Sequence, residues 1–168
     1  MRWSGRAHVF GDDVDTDQII PGRCLRRVSY DELGRYAMTG ADPEFPEKVR
    51  EGDVIVAGKN FGCGSSREQA VMALQQAGVA CVVARSFARI FYRNAINRGL
   101  PTVEAEEDPT EVVEDGNRVT VDLDELVLRA GSEEVPLREP PEFALQAWRE
   151  GGLLELVKKN PDKPPWRD

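Results

Sequence analysis

A chain of 168 residues can bury one sizeable core, and its 40% hydrophobic and 31% charged residues describe a globular rather than a disordered protein. A net charge of −8 argues against general nucleic-acid affinity, which needs excess Lys and Arg, but leaves a small acidic substrate open, since a few clustered arginines can reverse the field inside one cleft. No run approaches the ~20 apolar residues of a membrane span, and the opening Met1–Arg6 has no apolar h-region, so a cytoplasmic location is expected.

Trp3–Phe10 is weakly strand-like and ends at Gly11. Next come four aspartates within six residues, Asp12, Asp13, Asp15 and Asp17, followed by Ile19-Ile20-Pro21. The run lacks the glycine and closing glutamate of a calcium-binding EF-hand loop. It is either a solvated acidic turn or a set of carboxylates paired with arginines and backbone N–H groups, because four bare charges this close repel. Three arginines lie in Arg23–Val28, and a helix is expected over Tyr30–Met38 with Ser29 as its cap. Thr39–Pro46 reads as loop. A turn at Glu51-Gly52-Asp53 leads into a buried strand, Val54–Ala57.

Gly58–Glu68 is glycine-rich and opens a helix, with Ala70, Leu74 and Ala77 on its apolar face and Gly78 as its stop. Val79–Ala84 is a short continuous apolar run, as expected of a strand covered on both faces. Arg85, Arg89 and Arg93 recur at spacings of four beside Phe87, Ile90, Phe91 and Ala95, which is either a solvated helix face or a set of ion pairs. Gly99 stops that helix, and Thr102–Ala105 is a further strand. After an acidic loop, Arg118–Leu123 alternates as a half-exposed strand. Leu126–Leu128 and Val135–Leu137 flank Gly131-Ser132 as a hairpin. Glu142–Arg149 and Leu153–Lys159 read as helices around a Gly151-Gly152 break. Residues 1–160 are expected to be one domain and 161–168 a poorly ordered tail.

The alternation of strands and helices predicts an α/β fold. Its glycine loop fails the dinucleotide fingerprint, because Arg67 stands where the third glycine belongs, and neither a P-loop nor a GxSxG elbow is present. What remains is Gly64, Ser65, Ser66 and Arg67 at a helix start. There, unpaired N–H groups and a partial positive charge suit an anion, and an arginine can grip a carboxylate with two parallel bonds. A plain tight turn capped by Ser65 or Ser66, with Glu68 assisting, is the competing reading. Cys24, Cys63 and Cys81 form no CxxC pair, so no zinc site or iron–sulfur cluster is expected on them alone. His8, the single histidine, leaves a hydrolase triad room only if it is the base. Cys63, near a helix N-terminus, offers a reactive thiol of lowered pKa as a further reading.

Three segments resemble, in order and spacing, the small subunit of 3-isopropylmalate dehydratase, a relative of aconitase. They are Gly11–Asp17 with Ile19-Ile20-Pro21, then Asn60-Phe61-Gly62-Cys63-Gly64-Ser65-Ser66-Arg67-Glu68, then Ser86–Phe91 with Asn94. The resemblance implies a β/β/α layered swivelling domain and reversible loss and re-addition of water on a hydroxy-dicarboxylate, as in leucine biosynthesis. It implies as partner a large subunit that carries a [4Fe–4S] cluster on its own cysteines, this chain holding no metal, and it leaves room for a higher oligomer of the heterodimer. Ser65 would be the catalytic base, with Gly64, Ser66 and Arg67 binding substrate. Asp15, Thr16, Asp17, Asn60 and Arg89 would support them. Cys24-Leu25-Arg26 matches a Tyr-Leu-Arg pattern that faces the substrate's variable group in short members of the family. Leu25 would suit an isopropyl group and Arg26 the extra carboxylate of homoaconitate, so a homoaconitase small subunit is the alternative. An anion-binding module that has lost its partner is a further one.

Overall fold

Two four-residue runs with no exposed surface, Val54–Ala57 and Cys81–Ala84, set the architecture. The computed structural model describes residues 1–163; of the expected tail, 164–168 lie outside the described residues. The strands are β1 (Arg2–Val9), β2 (Val54–Ala57), β3 (Cys81–Ala84), β4 (Thr102–Glu104), β5 (Arg118–Asp122), β6 (Val127–Ala130) and β7 (Glu133–Pro136). They form one mixed sheet in the order β4-β3-β2-β1-β5-β6-β7. The half from β4 to β1 is parallel, and the half from β1 to β7 is antiparallel.

The helices are α1 (Thr16–Ile19), α2 (Gly22–Leu25), α3 (Phe45–Lys48), α4 (Glu68–Gln76), α5 (Arg89–Arg98), α6 (Glu142–Glu150) and α7 (Leu153–Lys159). Side chains alternate across the parallel strands, so each strand serves two cores. Ile55, Ala57, Val82 and Ala84 pack with Ile19, Leu33, Phe45 and the buried face of α4. Val54, Val56, Cys81 and Val83 pack with Val121, Leu128 and Val135 of the antiparallel half and with Trp148 of α6. Helices, parallel strands and antiparallel strands therefore stack as three layers, the expected β/β/α arrangement. Full burial of each valine or isoleucine is worth roughly 1.5–3 kcal/mol, so the double coverage fixes β2 and β3 firmly.

The sheet curls until its two edges meet. Ala105, just past β4, pairs antiparallel with Leu137, just past β7. The Glu106 amide donates to the Pro136 carbonyl, and the Arg138 amide to that of Glu104, each at 2.9 Å.

Several local expectations change. Tyr30–Tyr36 is a 3-10 helix rather than an α-helix over Tyr30–Met38, and Ser29 makes no side-chain cap bond. Arg85 lies outside α5, which begins at Arg89. Phe45–Lys48 and Gly22–Leu25, read as loop or left unassigned, each form a single helical turn. Neither Ser65 nor Ser66 caps α4. Arg67 occupies the N-cap without a side-chain capping bond, and Glu68 instead meets Arg98 at 3.1 Å. The hairpin with Gly131-Ser132 as its two-residue loop forms as expected.

Candidate active site

Strands β1, β2 and β3 are adjacent and parallel, so their carboxyl ends lie side by side. Ligands of open parallel sheets bind beyond these ends. The aspartate run follows β1, the glycine loop follows β2, and Arg85–Ala88 follows β3. Topology alone thus brings three distant stretches of sequence to one place.

Backbone hydrogen bonds then join them. The Asp13 amide donates to the Lys59 carbonyl, that of Gly62 to Val14 and that of Thr16 to Cys63, at 2.7–2.8 Å. On the other side, the Phe61 amide donates to Ser86 and the Ala88 amide to Phe61. The glycine loop therefore lies as a short middle strand between its neighbours, bridged at Asp15–Cys63 and Phe61–Phe87. Gly62 is indispensable to this seam: its φ is +86°, and a Cβ there would sit 2.2 Å from Cγ of Phe91.

The four aspartates take four separate tasks, so their charges are matched one by one. Asp12 accepts the Lys59 amide at 2.7 Å, and Asp13 accepts the Asn60 side chain at 3.1 Å. Asp15 caps α1 in a reciprocal capping box with Gln18. Asp17 accepts the Gly22 amide at 2.9 Å and Nη1 of Arg67 at 3.3 Å. The Gly22 bond first, and Arg67 second, hold its carboxyl below the usual carboxylate range.

Arg67 also donates from Nη1 to the Ile20 carbonyl at 3.1 Å. Both bonds engage the same nitrogen. Among the described residues Nη2 and Nε have no hydrogen-bond partner, so the fork keeps donors for an anion. Beside it, Ser65 and Ser66 are exposed, and among the described residues the amides of Gly64, Ser65 and Ser66 have no acceptor. A cleft of about 200 Å³ opens here, lined by Thr16, Ser65, Ser66 and Arg67 on one side and by Arg89, Ile90 and Asn94 of α5 on the other.

Of the residues singled out in the sequence, Gly64, Ser65, Ser66, Arg67, Thr16 and Arg89 line this cleft. Asp15, Asp17 and Asn60 stand behind it as props; the Asn60 amide donates to Ser86 Oγ at 2.9 Å. Leu25 and Arg26 do not line it. Leu25 is half-buried against the core and Arg26 is exposed. The lining residues that the site assignment lacked are Gly62, Ala88, Ile90, Phe91 and Asn94; all stand in the segments singled out in the sequence, and the i, i+4 spacing of Ile90 and Asn94 next to Arg89 was a further signal. The reactive-thiol reading loses its support: α4 begins only at Glu68, so Cys63 is not at the helix N-terminus, and burial first, and the Asp15 and Asp13 carboxylates next, push its thiol up rather than down. His8 is spent elsewhere: its Nε2 lies 2.8 Å from Oδ2 of Asp53, in a buried pair linking β1 to the start of β2.

The arrangement can hold a carboxylate on a guanidinium and present a hydroxyl oxygen beside unpaired amides that stabilise negative charge. The model of the aconitase C-terminal domain matches residues 35–108. The chain is 59% identical to 3-isopropylmalate dehydratase small subunit 1 of Methanopyrus kandleri, over 92% of each protein. It is 52% identical to the methanogen homoaconitase small subunit of Methanocaldococcus jannaschii, over 92% of this chain and 91% of that one. The crystal structure of a 3-isopropylmalate dehydratase from the same organism superposes with a TM-score of 0.90 at 48% identity, covering 96% of both chains. With these relatives spanning nearly its whole length, the chain belongs to the aconitase-related family of 3-isopropylmalate dehydratase and homoaconitase small subunits.

Proposed function

We propose that this protein is the small subunit of a hydro-lyase that interconverts 2-isopropylmalate and 3-isopropylmalate by dehydration and rehydration, in leucine biosynthesis, and that it supplies the base and one carboxylate clamp. The observation that carries the reading is that Ser65 is not used as a helix cap; it stands exposed in the cleft beside Arg67. A turn that merely binds an anion has no need of such a serine.

The cleft also supports a divided site. At about 200 Å³ it falls short of the roughly 300–1,000 Å³ of a complete small-molecule pocket, so a second surface has to close it. Among the described residues no group of three or more His, Cys, Asp or Glu side chains is placed to hold a metal, and Cys24 and Cys81 are buried. With two of its three cysteines buried, the donor set favours the reading in which a large subunit, and not this chain, carries a [4Fe–4S] cluster.

The chemistry left to this chain is proton transfer and charge placement. Ser65 Oγ takes the proton from the carbon next to the departing hydroxyl; the C–H pair becomes the new double bond, and the hydroxyl leaves with its own pair. Rehydration reverses these steps with the positions of H and OH exchanged. Negative charge spreads into the substrate carboxylate as the C–H bond breaks, and the free donors of Arg67 meet it. The amides around Ser65 offset the cost of an ionised serine oxygen.

The test is Ser65→Ala in the complex reconstituted anaerobically with the large subunit. Turnover should fall by at least about 10³-fold with KM within a few-fold, the pattern of an interaction made only in the transition state. Unchanged turnover overturns the reading. One observation favours a second reading, a homoaconitase small subunit: a relative 52% identical over 92% of this chain carries that name. The ratio of specificity constants of the same complex on isopropylmalate and homoaconitate decides between the two.

A further inference from the structure

Thr16 opens α1, yet it is only 3% exposed and belongs to the cleft wall. Its amide is fixed on the Cys63 carbonyl at 2.8 Å, so its position is tied to the glycine loop itself. Its Oγ1 lies 2.9 Å from the carbonyl oxygen of Ser65 and 3.4 Å from Ser65 Oγ. A threonine hydroxyl carries a single proton, and a carbonyl can only accept. At 2.9 Å, then, Thr16 is the donor to the carbonyl, and Ser65 Oγ faces the Oγ1 lone pairs. The hydroxyl proton of Ser65 turns toward Thr16, which leaves the lone pairs of Ser65 free to point into the cleft.

We infer that Thr16 is a positioning residue for Ser65. It orients the neutral hydroxyl. When Ser65 is ionised, Thr16 turns its one proton from the Ser65 carbonyl to Ser65 Oγ. That turn is a rotation about the Cβ–Oγ1 bond, and a shift of a few tenths of an ångström in the exposed Ser65 side chain closes the 3.4 Å separation, while the branched Thr16 side chain keeps its χ1. The bond to the charged oxygen is the stronger of the two, because hydrogen bonds to an ionised acceptor are shorter and about twice as strong as neutral ones. Thr16 thereby favours the ionised state of Ser65 without touching substrate carboxylates, which remain with Arg67.

The inference rests on the serine-base reading above, and the experiment separates the two. In the reconstituted complex, Thr16→Val, Thr16→Ser and Ser65→Ala are compared by steady-state kinetics and by the pH profile of kcat/KM. Thr16→Val should lower kcat about 10–10²-fold with KM within about threefold, less than the ~10²–10³-fold of a lost oxyanion-hole donor because the contact is longer. Its acid limb should move to higher pH, because Ser65 then ionises less readily. Thr16→Ser, which restores the hydroxyl, should stay within about threefold of the wild type by the same comparison. A Thr16→Val complex with normal kcat and an unmoved acid limb overturns the inference, as does Thr16→Ser falling as far as Thr16→Val, which would assign the effect to the buried methyl. If Thr16→Val does not assemble, Thr16→Ala set against Thr16→Ser decides on the same criteria. Full activity in Ser65→Ala overturns the serine-base reading itself; loss there with a normal Thr16→Val overturns only the role of Thr16.

Discussion

Arginine is handled in opposite ways in the two halves of the sheet. In the antiparallel half, Arg129 of β6 meets Asp122, Glu125 and Glu134, so its fork is saturated by three carboxylates. In the parallel half, Arg67 meets one carboxylate and one carbonyl through a single nitrogen. The contrast extends to whole segments. Residues 1–100 carry 14 Lys and Arg against 12 Asp and Glu, whereas 101–168 carry 8 against 18. The acidic excess belongs to the scaffold, and the site stands in the nearly balanced part. Net charge said little about what this protein binds; unspent donors say more.

The largest effect that could break this contrast comes from the two arginines. Arg67→Lys keeps the charge but cannot offer two parallel donors while holding Asp17 and Ile20, so kcat/KM of the complex should fall about 10²–10³-fold. Arg129→Ala should leave kcat/KM unchanged and cost about 1–3 kcal/mol of stability, because one of its partners, Asp122, is a buried carboxylate. Equal losses would show that the distinction between saturated and unspent donors has no functional content.

Glycines sharpen the comparison next. Gly62 and Gly116 share a left-handed φ, +86° and +88°. At Gly62 a side chain also collides with Phe91, whereas at Gly116 nothing lies within 4 Å. Gly116→Ala should cost about 1–2 kcal/mol, the strain alone. Gly62→Ala should cost about 2–5 kcal/mol, strain plus overpacking. Denaturant midpoints of the two variants measure the difference, and similar values would mean that the seam between the glycine loop and α5 yields easily.

A smaller effect lies at the boundary of the two halves, in the buried His8–Asp53 pair. Burial raises the Asp53 pKa, but the His8 hydrogen bond and the amides of Arg50 and Arg6 outweigh it and hold the carboxyl below its ordinary value. A carboxylate lowered on folding adds stability above its unfolded pKa of about 3.9 and loses it as pH falls through the folded value. Stability should therefore drop below about pH 4, and Asp53→Asn should flatten that dependence while costing about 1–3 kcal/mol at pH 7. An Asp53→Asn variant with the wild-type acid slope would place the titration elsewhere.

Much of the fold was legible because it was local. Val54–Ala57 and Val79–Ala84 announced buried strands by having no polar member, the second of which begins two residues later than its apolar run, and Gly99 and Gly151 marked helix ends that they do form in left-handed conformation. Tyr30–Tyr36 was misread because apolar spacing does not separate an α-helix from a 3-10 helix, and here Gly34 packs directly on Gln76, with no room for a Cβ. The three site segments could be named individually, but their meeting depended on β1, β2 and β3 being parallel neighbours, a long-range fact. For the same reason the partition of the four aspartates was hidden, since each partner comes from another loop or a later residue. The wall formed by Ile90 and Asn94 was legible only in part: both stand in a segment singled out in the sequence, but an amphipathic pattern gives a helix its faces and not what each face looks upon.

The pairing of Ala105 with Leu137 bears on the life of the protein before assembly. A subunit that must wait for a partner with one open surface risks joining the wrong chains, above all through bare strand edges that recruit other strands. Here the outermost strands are short, run into each other at one end, and carry the Glu104–Arg138 ion pair across the junction at 3.1 Å. The junction thereby shields one end of each outermost strand from stray pairing while the chain is still alone.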